Sequence, residues 1–230
     1  MSIVSDIEKL KKEKNAVILA HYYVDEDVQD VADYIGDSFY LSKVATKVSQ
    51  DRIIFAGVEF MGESAKILNP KKRVFMPDMN ADCPMAHMAD KDEILALREK
   101  YDDIAVVCYI NSTAELKKYS DVCVTSSNAV KIVKNLPNKN IFFIPDRNLG
   151  SYVAKQCPDK NFIFNNGCCP RHVVITKDMV LKAKELHPEA RFAAHPECTE
   201  DVLALADYVG STSGIIDYVV DTDCEEFIIA

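Results

Sequence analysis

The amino-acid sequence predicts an α/β fold built from parallel β-sheets with helices on both faces. Short apolar runs alternate with helical segments along the 230 residues, and these runs are continuously apolar, as in strands buried on both faces. The pattern also recurs nearly three times, which predicts three like units at residues 1–88, 89–174 and 175–230, the third incomplete. Any α/β protein shows some self-similarity, but here the same offset holds at several landmarks.

The first predicted strand of each unit ends in a polar residue at an equivalent position. These strands cover residues 17–23, 105–111 and 191–197, and the matched residues are His21, Tyr109 and His195. They lie 88 residues (21 to 109) and 86 residues (109 to 195) apart. Two residues further on, the units carry Tyr23, Asn111 and Glu197.

The later strands keep this spacing. The second strands cover 33–38, 121–126 and 207–212, and each ends in a hydroxyl residue that is predicted to open a helix: Ser38, Ser126 and Thr212. The third strands are predicted at 52–56, 140–144 and 226–230. A fourth strand is predicted only in the first two units, where it leads into Cys83 and Cys169.

Composition argues against several functional classes. The net charge is −9 and there is no basic run, so nucleic acid is not expected as a partner. No apolar run approaches the length that crosses a membrane, and residues 2–9 resemble the start of an amphipathic helix rather than a signal peptide. We therefore expect a cytoplasmic protein. In a reducing compartment the eight cysteines are metal ligands, reactive thiols or buried thiols, and Cys108 and Cys123 are interpreted as core residues.

The marked residues all lie at predicted carboxyl ends of strands, where parallel sheets bind ligands. Three like units around a pseudo-threefold axis would direct them into one central cavity. The hydroxyls at helix starts would suit carboxylate or phosphate groups, because helix N-termini attract anions. Each residue alone has a structural explanation as well: Ser and Thr are common helix caps, and a lone histidine is usually a core or surface residue.

Two cysteines are too few for a closed structural zinc site. Cys168 would compete with its neighbour Cys169. A third unit completed at the same spacing would place another cysteine at about position 255. Three thiolates would suit an iron–sulfur cluster with one open iron, which acts as a Lewis acid on a substrate oxygen.

Several ordered motifs resemble the quinolinate synthase family, the A protein of bacterial and archaeal NAD biosynthesis. They lie at residues 21–23, 35–38, 60–65, 82–86, 109–112, 125–129, 145–146, 167–172 and 195–198. The resemblance implies a pseudo-threefold arrangement of three αβα sandwich domains with a [4Fe–4S] cluster at the centre. It also implies condensation of iminoaspartate with dihydroxyacetone phosphate to quinolinate, with loss of phosphate and two waters, and a functional link to L-aspartate oxidase or aspartate dehydrogenase.

The resemblance assigns site residues by motif. Cys83 and Cys169 would be cluster ligands, and Tyr23, His172 and Met61 would line the cavity. Substrate contacts would come from His21, Ser38, Tyr109, Asn111, Ser126, His195, Glu197 and Thr212.

For catalysis we expect Glu197 and Tyr23 to transfer protons, with His195 and His21 orienting the substrate or sharing that task. Family members continue into a further segment with the third cluster cysteine, so the given sequence is expected to be a fragment or a truncated relative. The alternative function is an inactive carboxylate-binding or iron-sensing relative. A thiol-redox protein is disfavoured because no Cys-x-x-Cys motif is present.

Overall fold

The computed structural model describes residues 2–230 and confirms the α/β fold class, with three separate parallel sheets of four, four and three strands. All strand pairs in these residues are parallel. The strands are β1 (Ala16–His21), β2 (Tyr34–Gly36), β3 (Arg52–Ala56), β4 (Arg73–Phe75), β5 (Ile104–Tyr109), β6 (Val122–Val124), β7 (Asn140–Ile144), β8 (Asn161–Phe164), β9 (Arg191–Ala194), β10 (Tyr208–Val209) and β11 (Phe227–Ile229).

Helices alternate with these strands, as the sequence pattern predicts. They are α1 (Ile3–Lys14), α2 (Glu26–Asp30), α3 (Ser38–Lys47), α4 (Glu59–Leu68), α5 (Lys91–Lys100), α6 (Ala114–Lys118), α7 (Ala129–Asn135), α8 (Arg147–Gln156), α9 (Lys177–Leu186), α10 (Glu200–Leu203) and α11 (Thr212–Asp221), with a 3₁₀ turn at Pro84–His87. Among residues 2–230, no helix has the length and apolar character needed to cross a bilayer.

The strand order repeats from sheet to sheet. The orders are β2-β1-β3-β4, β6-β5-β7-β8 and β10-β9-β11. The register repeats as well, because residues at equivalent positions pair: Leu19 with Tyr34, Val107 with Val122, and Ala193 with Tyr208. The predicted spacing of 88 and 86 residues therefore corresponds to one supersecondary unit used again.

One aspartate before each second strand fixes this register. Asp33, Asp121 and Asp207 accept hydrogen bonds from the backbone N–H of Ile18, Val106 and Phe192 at 2.7, 2.7 and 2.8 Å. Their own N–H groups donate to the carbonyls of the same three residues at 2.9, 3.0 and 2.8 Å. A two-way bond at the same point of each unit holds the second strand beside the first.

The chain divides into two compact units, one ending at Cys83 and the other covering Pro84–Ala230. In the second unit the central strand β5 is buried along its whole length, which explains its uninterrupted apolar sequence. One core cluster packs β5 and β7 against Ile94 and Leu116, and another surrounds Phe192 on β9. The boundaries predicted at 88 and 174, and the pseudo-threefold arrangement, stay predictions.

Candidate functional site

Six of the predicted site residues converge within the unit Pro84–Ala230. They are Tyr109, Ser126, Cys169, His172, His195 and Glu197, called the Glu197 network below. All follow or end strands: Tyr109 ends β5, Ser126 follows β6, Cys169 and His172 follow β8, and the other two follow β9. Because these strands are parallel, their carboxyl ends present polar side chains at the same edge of each sheet.

The Glu197 carboxylate is the centre of this network. It is 3% exposed, and its Oε1 accepts a hydrogen bond from the Tyr109 hydroxyl at 2.6 Å. Its Oε2 lies 3.0 Å from Nδ1 of His172, and Nδ1 of His195 lies 3.9 Å from Oε1. One buried carboxylate therefore joins side chains that follow three different strands.

The electrostatics of the network keep Glu197 ionised and Tyr109 protonated. Burial raises the pKa of Glu197, but its contacts with His172 and with the Tyr109 hydroxyl outweigh burial and lower it. Burial, followed by the negative charge of Glu197, raises the pKa of Tyr109 well above its usual value. The nearby Ser126 hydroxyl opposes this rise in the pKa of Tyr109. The site therefore contains one buried carboxylate with a phenol donor fixed on one oxygen.

The His195 ring is neutral and has a defined orientation. Burial lowers its pKa to about 4, although the Glu197 carboxylate opposes this. Its Nδ1 accepts a hydrogen bond from the backbone N–H of Glu197 at 3.4 Å, so in the neutral ring the proton is on Nε2. The ring stacks on His172, with centroids 5.1 Å apart. His195 therefore presents an N–H donor at Nε2.

Cys169, His172 and Glu197 form a donor set that can hold a metal ion. One ligand atom from each, a thiol sulfur, a ring nitrogen and a carboxylate oxygen, lies within 4.8 Å of the others. Nδ1 of His172 is buried and has no aligned hydrogen bond despite its 3.0 Å approach to Glu197. Burial and then the charge of Glu197 raise the pKa of the Cys169 thiol to about 12, so the thiolate needs a cation beside it. Thiolate, imidazole and carboxylate are ligands of iron and zinc.

Two residues that support the site were not among the predicted ones. Asp146, fully buried, accepts hydrogen bonds from the N–H of Leu149 at 2.7 Å and of Cys169 at 2.9 Å, so it caps α8 and holds the Cys169 backbone. Burial, followed by the charge of Glu197, raises the pKa of Asp146 to about 7. The side-chain amide of Asn148 donates to the carbonyl of Glu197 at 2.9 Å.

Comparison of the repeated units does not identify Asp146. Asp146 lies two residues after β7, and the equivalent position in the first unit is Val58, which caps α4 without a side-chain hydrogen bond. Comparing units therefore cannot identify the acid. The available signal is local: an aspartate directly before a helix is a typical N-cap.

Other predicted residues have the following places. Asn111 lies half-buried in the loop after β5, and Thr212 begins α11. In the unit that ends at Cys83, His21 ends β1 and is buried, while Tyr23 is 75% exposed and its N–H donates to His21 Nδ1 at 3.2 Å. Ser38 begins α3, Met61 is buried in α4, and Cys83 is half-buried.

The helix starts differ from the prediction in detail. Asp37 and Ser211 cap α3 and α11, so Ser38 and Thr212 are first helical residues rather than caps. α7 begins only at Ala129, three residues after Ser126, which therefore does not open that helix. The reason is that the Asn128 side chain accepts a hydrogen bond from the Thr125 N–H and forms a turn before the helix.

Comparison with known proteins identifies close relatives. The family model described as quinolinate synthetase A protein matches residues 5–230. A quinolinate synthase of Fusobacterium nucleatum is 62% identical over 223 residues, which are 97% of this chain and 74% of the relative. Those of Caldicellulosiruptor saccharolyticus and Clostridioides difficile are 54% and 51% identical, over 99% and 97% of this chain and 75% and 74% of theirs.

Proposed function

Because this chain belongs to the quinolinate synthetase A protein family, we propose that it acts as a quinolinate synthase in NAD biosynthesis. The proposed substrates are iminoaspartate and dihydroxyacetone phosphate, which condense to quinolinate with loss of phosphate and two waters. The Glu197 network is the observation that carries this proposal. Condensation and dehydration require proton transfer near an imine or enol, and a buried, ionised carboxylate between a phenol and two imidazoles is suited to that.

The donor chemistry around Cys169 fits the proposed [4Fe–4S] cofactor. Its thiol is buried beside His172 and Glu197, and the thiol requires a neighbouring cation to ionise. Cys169 and Cys83 are the proposed cluster ligands, the latter on family resemblance. When bound, the cluster supplies a Lewis acid for a substrate oxygen.

The residues of the chain have separable roles in this proposal. Glu197 accepts a proton at Oε2, because Oε1 is occupied by the Tyr109 hydroxyl. His195 donates from Nε2 to a substrate oxygen and so orients it. Ser126 and Tyr109 contribute hydroxyl contacts, and His172 contributes its Nδ1.

The family resemblance extends the substrate-binding set to residues beyond this network. They are His21, Ser38, Asn111 and Thr212. Tyr23, with His21, completes the proposed proton-transfer groups.

Activity of a Glu197→Gln variant tests the proposal. The chain is reconstituted with iron and sulfide without oxygen, and quinolinate is measured by chromatography. Gln retains the shape but not the charge, so we expect turnover to fall by about 10²–10⁴, the usual contribution of a general acid or base. Glu185→Gln, at an exposed position on α9, is the matched control and should leave turnover unchanged. Full activity in Glu197→Gln would refute the assigned role.

The cofactor assignment is tested by visible absorbance in the same preparations. Cys169→Ser should lose the brown absorbance, whereas Cys168→Ser should keep it, because only the Cys169 sulfur lies in the donor set with His172 and Glu197. The two variants remove neighbouring thiols from one turn, so a general effect on folding should appear in both. If Cys168→Ser alone abolished the absorbance, the assignment of Cys169 would be wrong.

A further inference from the structure

Two cysteines outside the Glu197 network lie side by side on neighbouring strands. Cys108 on β5 and Cys123 on β6 are register partners in the second sheet. Register partners on adjacent strands project to the same face, and their Cα atoms are about 4.8 Å apart across the strand spacing. That distance falls within the range of about 4.4–6.8 Å that disulfides span. The sequence predicted that both cysteines are core residues. This is wrong for Cys123, which is exposed because β6 is an edge strand.

We propose that Cys108 and Cys123 are a modification site, a dithiol that a small-molecule disulfide converts to an intrachain disulfide. Neither thiol belongs to the Glu197 network, and the proposal does not depend on the proposed enzymatic function. The absence of a Cys-x-x-Cys motif does not argue against it, because the sheet brings together cysteines that are fifteen residues apart in sequence (108 to 123).

The surroundings of Cys108 favour its thiolate. The neighbouring Cys123 thiol lowers the pKa of Cys108, burial opposes this, and the nearby hydroxyls of Ser112 and Ser120 and the charge of Lys117 lower the pKa further. The Ser112 hydroxyl is fully buried and has no hydrogen-bond partner. A negatively charged sulfur at Cys108 would provide the acceptor that this hydroxyl lacks.

Exposure assigns different roles to the two sulfurs. Cys108 is 0% exposed, so a solute cannot reach it directly, whereas Cys123 is exposed at the sheet edge. The contact with Cys108 raises the pKa of Cys123, so the Cys108 thiolate takes the proton of the Cys123 thiol as the Cys123 sulfur attacks the external disulfide. This forms a mixed disulfide and releases one external thiolate, which then takes the proton from Cys108. The thiolate of Cys108 then attacks the Cys123 sulfur and expels the second external thiolate. Two protein thiols are oxidised to one disulfide, and the external disulfide is reduced to two thiols, which take up the two protons.

Peptide mapping tests this pairing directly, because Lys117 and Lys118 separate the two cysteines. The reduced full-length chain is incubated with glutathione disulfide, free thiols are alkylated, and the protein is digested with trypsin without reduction. We expect peptide 101–117 linked to peptide 119–131, each with one cysteine, as the most abundant disulfide product. Treatment with dithiothreitol before alkylation should remove the link.

Two variants separate the pairing from general thiol reactivity. Cys123→Ser, at an exposed edge position, should keep the circular dichroism spectrum and give no linked peptide, while Cys108 stays alkylatable only after unfolding. Cys224→Ser removes another accessible thiol and should leave the 108–123 link intact. Recovery of the two wild-type peptides unlinked, with glutathione retained on Cys123, would overturn the proposal. The same oxidation is repeated on the chain unfolded in urea, where cysteines pair at random. An equally random set of disulfide-linked peptides from the native chain would also overturn the proposal.

Discussion

Removal of the Tyr109 hydroxyl tests the arrangement around Glu197. Tyr109→Phe leaves the Glu197 carboxylate 3% exposed but without the donor that now lies 2.6 Å from Oε1. A hydrogen bond to a charged group contributes about 1.5–3 kcal/mol, so we expect the free energy of unfolding to fall by ~2 kcal/mol. At about 2–4 °C per kcal/mol for a chain of this size, the melting temperature should fall by ~4–8 °C.

The assay is a double-mutant cycle with Glu197→Gln. Urea unfolding is followed by far-ultraviolet circular dichroism, because the chain contains no Trp. In the Glu197→Gln background, Tyr109→Phe should lower the free energy of unfolding by less than it does in the wild-type chain. The difference is a coupling free energy of about 1–2 kcal/mol between the two positions. Tyr34→Phe, which removes a hydroxyl from an exposed ring on β2, is the control and should have little effect.

Additive effects would refute the reasoning. The test compares the changes in the free energy of unfolding caused by each substitution. If the changes in the two single variants summed to that of the double variant within about 0.5 kcal/mol, the two side chains would not be coupled. The 2.6 Å contact would then not be a stabilising interaction of the folded chain.

Two further predictions concern stability. Burial lowers the pKa of His21 to about 4, with Asp37 opposing, while the unfolded value is near 6.5. The unfolded chain therefore binds this proton first as the pH falls, so the free energy of unfolding should decrease between pH 6.5 and 4 by about 3 kcal/mol. His21→Asn, which keeps an acceptor for the Tyr23 N–H, should reduce that slope in urea titrations at several pH values; an unchanged slope would contradict it. Asp146→Ala should lower the free energy of unfolding by about 1–3 kcal/mol for each of the two backbone N–H groups that lose their acceptor. Asp146→Asn should lower it by less, because the amide oxygen still accepts one of these hydrogen bonds. An equal decrease in the free energy of unfolding in the two Asp146 variants would contradict the hydrogen bonds assigned to this side chain.

The fold class, the positions of most strands and the residues at their carboxyl ends could be predicted from the amino-acid sequence alone. This was possible because the unit repeats: an aspartate such as Asp121 forms the same two-way bond in each sheet, so strand spacing and register follow from local pattern alone. The family resemblance also came from sequence, because its motifs are contiguous. The same motifs predict Glu197 as a site residue.

Which side chains contact one another could not be predicted from the sequence and is visible only in the folded chain. Glu197 contacts Tyr109 across 88 residues, and Asp146 holds the Cys169 backbone through a bond with no counterpart in the first unit. The pairing of Cys108 with Cys123 likewise depends on strand order, which places β6 at an exposed edge. Periodicity reports the face on which a residue lies, whereas distances between elements depend on how those elements pack. The shifted pKa values follow from burial and neighbouring charge, and these exist only in the folded chain.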